Sequence, residues 1–148
     1  MRVTLPKQTM YDGELVRYAR LLKIPEFRGV KMRDELPVKP HVVECGILNL
    51  NSHSQKGSHW TCWYKNRSTC YYFDSFGQTP PTELVKYLTP NFIHRSAVIV
   101  QHDQAEECGS LCLYVLKMLS VGVKFSQTLE SLLQRYRLSP TPPLSIMV

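Results

Sequence analysis

HWTCWYKNRSTCYYFDSF, running from His59 to Phe76, is the stretch whose reading decides the fold. It holds two runs rich in aromatic and branched residues, HWTCWYK and STCYYFDSF, with only Asn66 and Arg67 between them. That composition around a two-residue gap predicts a β-hairpin. A turn centred between Asn66 and Arg67 sets His59 opposite Asp74. Directly opposed residues of an antiparallel pair project from one face with Cβ atoms about 4.5 to 5.5 Å apart. An imidazole and a carboxylate then meet at the open end of the ribbon. The carboxylate fixes the imidazole tautomer and stabilises its cation, the support a catalytic base requires. The turn is the weak point of this register, because Asn-Arg suits a two-residue loop less well than Asn-Gly.

Upstream, HVVECGILNL (residues 41 to 50) reads as a central strand closed by the polar stretch NSHSQKGS. Before it, Asp12 is placed to cap a helix over 13 to 23, with Leu15, Tyr18, Ala19 and Leu22 at helical spacing and Pro25 as the stop. Residues 25 to 40 carry three prolines, Gly29 and many charges, and read as an irregular connection. Downstream, Gly77, Pro80 and Pro81 mark a turn, TELVKYL a short helix capped by Thr82, and SAVIVQ a strand. CGSLCLYVLKMLS and FSQTLESLLQRYR are amphipathic helices, and the proline-rich tail from about residue 139 reads as extended. The expectation is an α+β architecture, a short mixed β-sheet with helices packed on it, in a single domain spanning 1-148.

With 43% apolar and 20% charged residues, the composition is that of a folding globular chain. The start of the chain lacks a signal-peptide pattern and no apolar run reaches bilayer length, so the reading is soluble, intracellular and without membrane association, with the oligomeric state left open and a monomer favoured. Five cysteines, odd in number and without a CxxC pair, suit a reducing compartment, and the five histidines lack zinc spacing, so no metal is expected. The net charge is +6. Within the first forty residues nine Lys and Arg face five Asp and Glu, so four of the six excess charges lie there. This suits either a polyanion-binding face, with Arg28, Lys31 and Arg33 as candidate DNA contacts, or a merely solvated one.

The candidate nucleophile is Cys108. It opens a strongly periodic helix, where unpaired N–H groups and the helix dipole favour a thiolate. Gly109 lets a substrate carbonyl approach the Cys108 N–H, a candidate oxyanion donor. Glu106 and Glu107 oppose the thiolate unless they point into solvent, which is the expectation. Cys45, Cys62, Cys70 and Cys112 lie in apolar segments and read as core residues. Trp60 reads as core or as a wall of the substrate groove.

The ordered set GSHW, DSFG and VQHDQAEECGSLCLYVL resembles the adenovirus proteinase and its relatives among viruses and virus-like transposons, within the clan that includes the ubiquitin-like-protein proteases. The similarity runs from about Val42 to Leu119. It implies His59 as base, Asp74 as acidic third member, Cys108 as nucleophile and Gln101, seven residues earlier, as the oxyanion glutamine. The glutamine spacing follows the adenovirus enzymes, whereas Asp74 follows the ubiquitin-like-protein branch, since adenovirus enzymes tend to carry glutamate there. The implied activity is a cysteine endopeptidase maturing viral or virus-like precursors after small Gly-containing sites, in host nucleus and virion if viral, with Trp60 against the substrate. A deubiquitinase or ubiquitin-like-modifier protease, and an inactive binding module on the same fold, are the alternatives. No cofactor is required for the chemistry. DNA stays a candidate activator, whereas SAVIV has no cysteine for the disulfide-linked activating peptide of the adenovirus enzymes.

Overall fold

The computed structural model describes residues 1 to 51 and 59 to 148. The polar stretch expected to close the first central strand lies mostly outside these. Among the described residues eleven elements follow in order: β1 (Arg2–Thr4), α1 (Asp12–Leu21), β2 (Phe27–Met32), β3 (Val43–Asn49), β4 (Trp60–Asn66), β5 (Thr69–Phe73), α2 (Thr82–Leu88), β6 (Ile93–Arg95), α3 (Cys108–Ser120), α4 (Phe125–Tyr136) and β7 (Ser145–Met147). The main sheet has the order β2-β3-β4-β5-β6, antiparallel in its middle and parallel at both edges, while β1 and β7 pair separately. The architecture is α+β with a mixed sheet, as expected.

Both faces of the sheet are covered, which is why β4 is apolar on both sides. Cys45, Ile47, Cys62 and Phe73 pack with α1 and α3, whereas Leu48, Trp63 and Tyr72 pack with Leu84, Tyr87 and Leu88 of α2. Gly46 pairs with Trp63, and a side chain there would collide with the indole. On the α2 side Glu44 is buried and accepts from Trp63 Nε1, Tyr87 Oη, Arg28 and the His41 N–H. Burial alone would push its carboxyl up, but these donors together hold it below the usual range.

Several local expectations change. Helix α1 begins one residue early, with Tyr11 as N-cap and Glu14 accepting the Tyr11 N–H, while Asp12 lies in the first turn. It ends before Pro25, because Lys23 adopts φ +57° and the N–H groups of Lys23 and Ile24 turn back to Arg20 and Ala19. Likewise Pro81, not Thr82, caps α2. Strand β2 arises inside the segment read as irregular: Gly29, at φ +105°, hides its pattern by shifting the parallel register against β3. SAVIVQ is not a strand. The edge strand is β6 just before it, and Ser96 and Val100 reach the chain at Tyr72 and Ser75 only through single hydrogen bonds. The tail docks rather than trailing, with Leu144 and Ile146 buried and β7 paired to β1.

Candidate active site

The hairpin forms, but its turn is Arg67-Ser68, with Arg67 at φ +58°, so Trp63 faces Tyr72 and Asn66 faces Thr69. Continuing that register would bring His59 opposite Phe76 rather than Asp74. The two rings do meet, with centroids 5.1 Å apart. Yet His59 Nε2 lies 2.9 Å from Asp74 Oδ1. The ladder ends at Phe73, and the chain turns so that Asp74 Oδ1 also accepts the Phe76 N–H at 2.8 Å. The Asp74 N–H in turn donates to Ser96 Oγ. The expected contact is therefore made by a turn beyond the sheet, not by cross-strand pairing.

Cys108 is the first residue of α3 and is 7% exposed. It lies beside the His59 imidazole, whose Nε2 is engaged by Asp74. Burial opposes the imidazolium, but the hydrogen bond and charge of Asp74, together with the contact to Cys108, raise the His59 pKa to about 9 from 6.5. A group whose folded pKa is raised stabilises the fold fully below its unfolded value and loses that contribution as pH climbs. The contribution of this pair is thus complete below pH 6.5 and is lost as pH rises through about 9. The thermal midpoint is expected to fall more steeply over that window in the wild type than in His59→Gln. Parallel curves for the two proteins would show that the pair does not titrate this way.

Gln101 is 2% exposed and fully anchored: its Oε1 accepts from Ser75 Oγ at 2.6 Å and its Nε2 donates to the Ala105 carbonyl at 2.7 Å. A primary amide has two N–H groups, so one is left for a further acceptor. Trp60 is 8% exposed and its indole N–H is taken by the Met10 carbonyl, which makes it floor rather than groove surface. A Cβ on Gly109 would press on Leu15, Met10 and Trp60. Packing against these residues by itself calls for a glycine there.

Glu106 points outward, bonded by Thr9 Oγ1. Glu107 does not. It is 2% exposed and holds Arg135 of α4 through two bonds of 3.1 and 2.7 Å, and Arg135 Nε donates to the Pro142 carbonyl. Removing one partner of such a buried pair strands a charge, at a cost of about 3–5 kcal/mol. The sequence carried no signal for this pairing beyond an arginine in the last turn of a helix.

No protein-family model matches the chain, and a search of curated proteins returns no match. Among solved structures, one of the ASFV pS273R protease aligns over 84% of this chain and 63% of that one, with a TM-score of 0.53 and 16% identity. Its selenomethionine form aligns over 66% and 44%, with a TM-score of 0.49 and 17% identity. The fold is therefore the one that the ASFV pS273R protease has. This chain spans less than two-thirds of the length of the protease it matches, 63%.

Within that fold the remaining cysteines are core residues. Cys45, Cys62, Cys70 and Cys112 are 0 or 1% exposed, and burial pushes the thiols of Cys45, Cys70 and Cys112 up. Among the described residues no three His, Cys, Asp or Glu side chains gather where a metal ion would sit. Of the candidate DNA contacts, Arg28 pairs with Glu44 at 2.7 Å and Arg33 Nε lies 3.3 Å from Glu83. Lys31 lies on β2. Among the described residues no helix is long and apolar enough to cross a membrane.

Proposed function

We propose that this chain is a cysteine endopeptidase in which Cys108 attacks a peptide carbonyl, His59 protonates the leaving amine, and water hydrolyses the thioester. The observation that carries this is the imidazole that Asp74 holds beside a cysteine at the amino end of α3. In this reading Gln101 and the Cys108 N–H hold the oxyanion. The substrates are precursor polypeptides of a virus or virus-like element, cut after small Gly-containing sites, and the likeness to a viral protease fold favours this over removal of a ubiquitin-like modifier. DNA as activator rests on the +6 net charge alone, since Arg28 and Arg33 lie against Glu44 and Glu83. The test is incubation of the purified chain with a panel of Gly-Gly-X peptides beside ubiquitin-like-modifier conjugates. Cleavage of the peptides that depends on Cys108 supports the reading. Cleavage of conjugates alone moves the chain to the modifier proteases, and no Cys108-dependent cleavage of either leaves a binding module.

Gln101→Ala is expected to lower kcat by about a hundredfold with KM little changed, the usual result of losing one oxyanion donor. Ser75→Ala leaves the buried Gln101 Oε1 without its donor and frees the amide, so kcat falls as well. Because Ser75 acts through Gln101, the two losses do not add: in a Gln101→Ala background Ser75→Ala costs almost nothing further. Full additivity in that cycle, or an unchanged kcat for Gln101→Ala, would remove Gln101 from the oxyanion site.

A further inference from the structure

The N-cap residue of α3 is a glutamate whose side chain does not cap. Glu107 makes no hydrogen bond to the first turn of its own helix, although the N–H groups of that turn and the helix dipole attract a carboxylate. Instead both oxygens go to the Arg135 guanidinium, which the Pro142 carbonyl fixes in turn. The same last turn of α4 also holds the far end of the segment between Gln101 and Cys108. His102 stacks on Tyr136 with centroids 4.1 Å apart, and its Nε2 lies 3.0 Å from the Tyr136 carbonyl.

The consequence is electrostatic. Were the carboxylate released, it would swing to the amino end of α3 and take up the N–H groups of Gly109 or Ser110. A full negative charge would then sit beside the sulfur that must ionise and the carbonyl oxygen that must become an oxyanion. Among the described residues the other ionisable groups there are His59 just before β4, Asp74 beyond β5 and Cys112 on α3, of which only His59 brings positive charge. Glu106 is turned away to Thr9.

We infer that Arg135 is a positioning residue of the candidate active site, which holds the Glu107 carboxylate off the amino end of α3 and leaves that end to the Cys108 sulfur and the oxyanion. The inference rests on the cysteine-protease reading. It makes the carboxylate, not the arginine, the harmful group once the pair is broken, and this separates it from a purely structural role.

The experiment compares Arg135→Met, Glu107→Gln and the double variant in the full chain, reading kcat and KM on a peptide the wild type cleaves and the rate at which iodoacetamide alkylates Cys108 at neutral pH. Arg135→Met is expected to lower kcat and the alkylation rate by about tenfold or more, with KM within about twofold. Glu107→Gln should stay within about threefold of wild type, and adding Arg135→Met to it should change little further. A folded Arg135→Met with wild-type kcat and alkylation overturns the inference, as does a double variant as slow as Arg135→Met. If Arg135→Met fails to fold, the double variant against Glu107→Gln decides alone: equal rates support the inference, and a large loss overturns it. A wild type without Cys108-dependent cleavage sinks the protease reading instead, and the alkylation series still reads the effect of Arg135 on the thiol.

Discussion

Replacing Cys108 with alanine is expected to reduce peptide cleavage by on the order of a millionfold, the size of loss seen when a nucleophile acting as one unit with its base is removed. The fold should survive. The side chain lost is one sulfur at the first position of α3, where Leu111 and Val115 continue to anchor the helix in the core. Alkylation gives a second readout that needs no substrate. Cys108 is 7% exposed and lies beside His59, whereas the other four cysteines are at most 1% exposed. Iodoacetamide should therefore modify Cys108 first, and mass spectrometry of the partially labelled chain identifies the site. Labelling that falls first on Cys45 or Cys70, together with an active Cys108→Ala variant, would show that the nucleophile lies elsewhere.

The second large effect is expected from Asp74→Asn, which should cost about three to four orders of magnitude in kcat. Asp74 is fully buried, and its Oδ1 serves both His59 Nε2 and the Phe76 N–H. Its Oδ2 is buried without a hydrogen-bond partner among the described residues. An asparagine can keep its oxygen toward Phe76 only by placing its NH₂ where no acceptor waits, and the reverse orientation presents a donor to His59. Either way the imidazole loses the anion that offsets burial, and its pKa drops from about 9. Two measurements follow. The alkaline limb of the kcat/KM profile, set near pH 9 by His59 in the wild type, should move toward neutrality in Asp74→Asn. Asp74→Ala should be similarly slow, because the carboxylate charge is gone in both. A variant retaining wild-type kcat and an unmoved alkaline limb would remove Asp74 from the site.

Reading the hairpin as a ladder gave the right pair for an incomplete reason. His59 and Asp74 do meet, yet the turn lies at Arg67-Ser68, and regular pairing would have set His59 on Phe76. A two-residue turn can be placed one residue either way with little change in local preference. A bend after the last paired residue is set by groups that pairing rules do not see, here Ser96 and the Phe76 N–H. Trp60 shows the same limit, since an aromatic residue beside the base suits a groove wall as well as a floor. Only the Met10 carbonyl and the cover of Gly109 make it floor.

What the sequence by itself determined are the features governed by neighbours along the chain: two strands around a short turn, two amphipathic helices, and a cysteine opening the first of them. It also carried the order of histidine, aspartate, glutamine and cysteine, which led to a fold that the structure bears out. Only the tertiary structure decided the direction of Glu107, expected in solvent and found buried. Its partner lies 28 residues away on a helix whose own periodicity says nothing of it. The parallel partner of β2 and the β1–β7 pairing came from the same source, as did the bond from Ser75 that orients Gln101. The physical reason is shared. Propensity and periodicity are written within a few residues, whereas the placement of a buried charge or amide is settled by which distant donor or acceptor the packed chain brings to it.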